Sequence, residues 1–130
     1  MQRILHTMLR ISNIQRSIGF YTKILGMRVL RTLDQPDEKY TLIFLGFGEE
    51  SETCVLELTY NYGVFTYELG NAYGHIAIGV SDIQQVTTDI KRRGVHFSLE
   101  PTQLKGSNEI IAFLTDPDGY QVELIERPSS

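Results

Sequence analysis

The sequence predicts an α+β protein built from two tandem βαβββ modules, and three observations predict it. The run His6-Thr-Met-Leu-Arg-Ile-Ser-Asn-Ile-Gln15 aligns with His75-Ile-Ala-Ile-Gly-Val-Ser-Asp-Ile-Gln84, 69 residues later, with Ser, Asn/Asp, Ile and Gln matching in order. Val55-Leu-Glu57-Leu aligns with Gln121-Val-Glu123-Leu, 66 residues later, so the second copy has lost three residues from a loop. Each copy also reads as a strand, a helix and three further strand-like runs. Self-similarity at a near-constant spacing marks a duplicated supersecondary unit.

The elements follow in order. From Arg3 to Ile11 the residues alternate, with Leu5, Thr7, Leu9 and Ile11 on one face and His6, Met8 and Arg10 on the other; period two is the signature of a half-buried strand. Asn13 caps a helix whose apolar positions Ile14, Ile18, Tyr21 and Leu25 recur at helical spacing, and Gly26 stands where a left-handed C-terminal residue is wanted. Strand-like runs follow at about Arg28 to Thr32, Tyr40 to Gly46 and Thr53 to Tyr60. In the second copy Asp82 caps and Ile83, Val86 and Ile90 form the stripe. Lys91, Arg92 and Arg93 complement the helix dipole, and Gly94 stops the helix. Runs at about His96 to Glu100, Glu109 to Thr115 and Gln121 to Ile125 complete it. The last two are joined by Asp116-Pro-Asp-Gly119, whose residue types suit a tight turn. The chain thus forms one domain over residues 1–130, with modules 1–61 and 73–127 and a connector from Tyr62 to Ala72. Only the tail Pro128 to Ser130 reads as disordered.

Composition excludes several classes. With 130 residues and 42% hydrophobic content the chain can bury a core of its own. Its longest apolar run, Ile110 to Leu114, is far shorter than the roughly 20 residues of a membrane helix, and Met1 leads into a strand pattern and not a signal sequence. A cytoplasmic location without membrane attachment is expected. A formal charge of −4 gives no general attraction to nucleic acid or acidic membranes. Cys54 is the one cysteine, which rules out an internal disulfide and a thiolate zinc cluster, and it reads as a small core residue.

The strand faces carry the functional signal. His6, Glu57, His75 and Glu123 all oppose the apolar residues of their strands, so they point away from the helix-covered side of each sheet. If the sheets curl so that these faces form a concave lining, two imidazoles and two carboxylates meet there. A divalent cation satisfies such a set, and nitrogen and oxygen donors without sulfur suit nickel, cobalt, iron, manganese or zinc. A lone strand histidine is more often an ordinary surface or core residue than a ligand. Here two histidines share one repeat position and two glutamates another, which makes coincidence a strained explanation. His96 has no counterpart in the first copy and reads as a solvated residue.

At these residues the chain resembles the glyoxalase I, or lactoylglutathione lyase, family of the vicinal oxygen chelate superfamily, in its short bacterial form. The resemblance lies in His6-Thr-Met-Leu-Arg10, Glu57-Leu-Thr-Tyr-Asn61, Tyr73-Gly-His75-Ile-Ala and Asp116-Pro-Asp-Gly-Tyr-Gln-Val-Glu123, and spans nearly the whole chain. It implies the glyoxalase/bleomycin resistance/dioxygenase fold. It implies an enzyme that isomerises the hemithioacetal of methylglyoxal and glutathione to S-lactoylglutathione through an enediolate. The carried-over metal ligands are His6, Glu57, His75 and Glu123. Glu123 matches the position of the family's catalytic base, and the resemblance implies that Glu57 acts on the other substrate enantiomer. Active sites shared across a homodimer are implied, with His6 and Glu57 from one subunit and His75 and Glu123 from the other. Histidine at position 6 is similar to the bacterial form that prefers nickel or cobalt over zinc. Arg10 matches the family's carboxylate clamp, Asn61 a contact to the γ-glutamyl end, and Lys105-Gly106 a loop over the glycyl carboxylate. An intact Lys-Gly loop also favours glutathione over a more cationic thiol such as trypanothione. Tyr62-Gly63 departs from the Trp-Gly common in close bacterial relatives. Extradiol dioxygenases, fosfomycin-opening thiol transferases and metal-free binding modules share the fold. Four occupied ligand positions and the glutathione-matching residues disfavour all three.

Overall fold

A computed structural model describes residues 2–127; the tail Pro128 to Ser130, read above as disordered, lies outside the described residues. The element order is β1 (His6–Ile11), α1 (Ile14–Gly19), a π-helical segment (Phe20–Ile24), β2 (Arg28–Gln35), β3 (Tyr40–Gly46) and β4 (Val55–Asn61), then β5 (His75–Val80), α2 (Ile83–Arg92), β6 (Phe97–Gln103), β7 (Ile110–Thr115) and β8 (Gln121–Glu126). Two four-stranded mixed sheets result, ordered β1-β4-β3-β2 and β5-β8-β7-β6, with β1 parallel to β4 and β5 parallel to β8. This is the α+β architecture of two βαβββ modules that the repeat predicts. The chain divides into two compact units between Glu68 and Leu69.

In the first unit, β1 begins at His6, not Arg3, because β4 begins at Val55 and the two residues are partners. Leu5 still accepts from the Val55 amide, but its side chain is 59% exposed, so the buried face starts at Leu9 and Ile11. Asn13 caps the helix by accepting from the Arg16 amide at 3.0 Å. The stretch from cap to left-handed glycine, Asn13 to Gly26, is one residue longer than its counterpart Asp82 to Gly94. The surplus is taken up by the π turn, which ends in the bond from Leu25 N to Phe20 O. It also moves the buried face. Ser17, Phe20 and Tyr21 are buried, while Ile14, Ile18 and Leu25 of the expected stripe are half-buried.

In the second unit Asp82 accepts from Gln85 N at 3.1 Å, and Ile83, Thr87 and Ile90 form the buried face of α2. The turn from Asp116 to Tyr120 closes through Asp116 N to Tyr120 O at 2.8 Å, with Gly119 at φ +97°, the left-handed region that favours glycine. The three-residue difference between the copies is localised here. Five residues join β7 to β8, whereas eight, Phe47 to Cys54, join β3 to β4. Cys54 ends the longer loop and is exposed, contrary to its reading as a core residue, because the strand that would bury it starts one residue later.

Candidate metal centre

Each unit presents one histidine and one glutamate from the two parallel strands at one edge of its sheet. In the first unit His6 Nε2 lies 3.1 Å from Glu57 Oε1; in the second His75 Nε2 lies 3.1 Å from Glu123 Oε1. The strand pattern explains the placement. Leu56 and Leu58 flank Glu57 and are buried on the opposite face, and Val122 and Leu124 do the same for Glu123. The carboxylates are only 13% and 12% exposed, and the imidazoles remain 41% and 43% exposed. In each unit a half-buried acceptor beside an open imidazole forms a pair that could receive a cation.

The spacing also fits. Two donors each about 2.1 Å from an ion stand about 3.0 Å apart at a right angle and about 3.4 Å apart at the tetrahedral angle. The observed 3.1 Å is closer to the right-angle value. Each unit brings together only one pair, and among the described residues no group of three or more His, Cys, Asp or Glu could hold a metal ion. His96 is exposed.

Aromatic rings back both pairs. Phe44 lies opposite Glu57 across the β3–β4 ladder and packs nearly perpendicular to His6, with ring centroids 5.8 Å apart at 82°. Phe113 lies opposite Glu123 and packs on His75 at 5.1 Å and 80°. Reasoning from sequence missed both phenylalanines. They stand 69 residues apart, the offset of the two histidines, and that coincidence was the available signal.

The pairs also differ. The Thr59 hydroxyl donates to Glu57 Oε2 at 3.3 Å, whereas the position two residues after Glu123 is Ile125, which has no hydroxyl. Arg31 lies opposite Phe44 on β2, its guanidinium 3.7 Å from the ring centroid and held by both oxygens of Glu50, at 2.7 and 3.2 Å. That hydrogen bonding raises the Arg31 pKa and holds the Glu50 carboxyl below its ordinary range. In the second unit Leu99 lies opposite Phe113. The Tyr73 hydroxyl, two residues before His75, is buried without a hydrogen-bond partner among the described residues. Burial first, and the charge of Asp116 second, push its pKa up.

The other predicted residues are placed as follows. Arg10 lies on β1 opposite Thr59, exposed on the His6 side of the strand. Asn61 ends β4 and donates from Nδ2 to the Tyr67 hydroxyl at 3.1 Å. Lys105 and Gly106 occupy the turn between β6 and β7, closed by Ser107 N to Leu104 O, with Gly106 at φ +83°. The Tyr62 hydroxyl shares a 3.2 Å hydrogen bond with Thr41.

A duplicated βαβββ fold with paired His and Glu donors defines a class, and residues 3–124 match the Glyoxalase/Bleomycin resistance protein/Dioxygenase superfamily. The chain is 52% identical over 124 residues to the lactoylglutathione lyase of Salmonella typhimurium, covering 95% of this chain and 92% of that protein. It is 55% identical to a probable lactoylglutathione lyase of Vibrio cholerae, covering 95% and 90%. Among solved structures, Leishmania major glyoxalase I, described as trypanothione-dependent, superposes with a TM-score of 0.88 at 50% identity, covering 97% of this chain and 87% of that one. Glyoxalase I from Zea mays superposes at 0.94 and 46% identity; the match covers 98% of this chain and 46% of the maize chain. The chain belongs to this superfamily and, within it, to the lactoylglutathione lyase, or glyoxalase I, family of enzymes.

Proposed function

We propose that this chain isomerises the hemithioacetal formed by methylglyoxal and glutathione to S-lactoylglutathione. The observation that carries the reading is the duplicated pair, His6 with Glu57 and His75 with Glu123, each at 3.1 Å and each at the same repeat position. His6, Glu57, His75 and Glu123 are the residues that would hold a divalent ion. One unit offers two donors, so a four-donor site draws on both kinds of unit, and a homodimer in which each site takes one pair from each subunit supplies them. When bound, the ion supplies Lewis-acid stabilisation of negative charge developing on the substrate oxygens. Nickel or cobalt is the expected choice, with zinc also compatible with these donors.

Glu123 takes the proton from C1 of the hemithioacetal and returns it to C2. The C1 hydroxyl proton passes to the C2 oxygen, so the substrate rearranges through an enediolate without gaining or losing an atom. The contrast between Thr59 and Ile125 supports this choice of base. Glu57 has one oxygen engaged by a hydroxyl, whereas Glu123 has an isoleucine at that position and keeps more freedom to accept a proton. Glu57 serves the other substrate enantiomer. Arg10 binds a glutathione carboxylate through its planar fork. Asn61, held by Tyr67, receives the γ-glutamyl end, and the Lys105-Gly106 turn meets the glycyl carboxylate. No helix among the described residues is long and apolar enough to cross a membrane, and a glutathione-rich cytoplasm is the expected setting.

The test is ultraviolet absorbance at the thioester band, with methylglyoxal, glutathione and each of nickel, cobalt and zinc added to metal-stripped protein. Thioester should accumulate with at least one ion and faster with glutathione than with trypanothione. Silence with every ion would overturn the assignment.

A further inference from the structure

The two units place the same row of residues across the sheet next to the metal-binding pair. In the first it runs Met8, Glu57, Phe44, Arg31 from β1 to β2; in the second, Ala77, Glu123, Phe113, Leu99 from β5 to β6. The row therefore ends in a cation in one unit and in an aliphatic side chain in the other.

The cation is built in. Arg31 offers Nε and one terminal nitrogen to the two oxygens of Glu50, a bidentate geometry that fixes the plane of the guanidinium, and that guanidinium stands 3.7 Å from the centre of the Phe44 ring. Glu50 lies in the eight-residue loop between β3 and β4, three residues longer than the loop between β7 and β8. The same loop is tied down by Arg3, which donates to the carbonyls of Glu50 and Thr53, and by the pair of Arg28 with Glu49. In the second unit the short loop folds Asp116 onto its own backbone, accepting from Asp118 N and Tyr120 N. Its phenylalanine has Leu99 opposite in place of the arginine, and its histidine lies closer to the ring, 5.1 Å against 5.8 Å.

We propose that Arg31, clamped by Glu50, is a positioning residue: its guanidinium pins the Phe44 ring, and the pinned ring sets the exposed His6 imidazole in the orientation that receives the metal. The inference rests on the reading of His6 and Glu57 as ligands. An imidazole that is 41% exposed and touches one carboxylate has rotamers to lose on binding an ion. A ring fixed from beyond removes part of that cost before the ion arrives. His75 packs closer to its own ring and does without the clamp. The longer first loop thus equips the His6–Glu57 pair with an orienting device that the His75–Glu123 pair lacks.

The test uses the full chain and nickel alone. Arg31→Leu copies the residue of the second unit; Arg31→Lys keeps the charge without the planar fork; Glu50→Gln weakens the clamp from an exposed loop and guards against a folding defect. In metal-free protein with labelled histidines, Arg31→Leu should broaden the His6 ring resonances and leave those of His75 unchanged. Calorimetric titration should show nickel affinity reduced about tenfold, the scale expected for groups that orient metal ligands. Lysine should not restore it, and Glu50→Gln should give a smaller loss in the same direction. Unchanged His6 resonances with unchanged affinity would overturn the inference. So would equal broadening of His6 and His75, which signals general loosening, or full rescue by lysine, which signals charge alone. A wild-type protein that binds no nickel at all overturns the ligand reading itself, a separate outcome.

Discussion

Glu123 holds a carboxylate oxygen 3.1 Å from the Nε2 of His75, and the next side chain on its strand face, Ile125, has no hydroxyl to engage the second oxygen. A carboxylate so placed keeps a lone pair for a substrate proton. Glu123→Gln retains size and one acceptor oxygen but cannot take that proton. With nickel saturating, kcat should fall by about 100-fold or more, the scale of a lost general base, while KM changes little. Thioester formation measured at matched metal occupancy checks this. Near-normal turnover in the metal-loaded variant would remove Glu123 from the proton pathway.

A ligand that binds only the folded chain raises its stability by mass action. Nickel at about 100 times its dissociation constant should add about 2.7 kcal/mol and lift the melting temperature. His6→Ala and His75→Ala should each abolish most of that lift, since the two histidines hold matching positions in their units. Thermal melts with and without nickel decide it. A variant that keeps the full shift would show that its histidine is not a ligand.

Much of this architecture was legible because a duplication supplies its own control. The register of His6 with His75 and of Glu57 with Glu123 placed all four on equivalent strands and faces, and the structure finds them there. Contacts that depend on how distant strands pair were not legible. Nothing local in Arg31 or Phe44 says that β2 and β3 set them side by side, or that a loop carboxylate from residue 50 closes on the arginine. The burial of Cys54 and the start of β1 were misread for a related reason. A strand edge is set by where its partner begins, which alternation within one segment does not encode.

The turn between β7 and β8 depends on one buried carboxylate. Asp116 is 4% exposed, and its Oδ1 accepts the backbone N–H groups of Asp118 and Tyr120, each at 2.9 Å. Asp116→Ala leaves both donors without this acceptor, which should cost about 2 kcal/mol. Asp116→Asn keeps an acceptor oxygen and should lose less. Chemical denaturation checks the order. Equal stability of the alanine variant and the wild type would mean that the turn is held by Gly119 and the backbone bond from Asp116 to Tyr120 alone.

The Arg31–Glu50 pair predicts a pH dependence whose sign can be worked out. Hydrogen bonding from Arg31 holds the folded-state pKa of Glu50 below its ordinary value of 4.5. The folded state therefore binds the proton less readily than the unfolded chain, and stability from the pair is present above about pH 4.5 and lost as pH falls through the lowered value. Both side chains are at the surface, so the contribution is small and weakened by salt, whose screening length is about 10 Å at 0.1 M. The melting temperature of Glu50→Gln should lie below that of the wild type near neutrality and converge with it in acid. Raising salt at neutral pH should narrow the same gap. If the difference persists undiminished well below pH 4, it arises from the shape of the loop and not from the charge of Glu50.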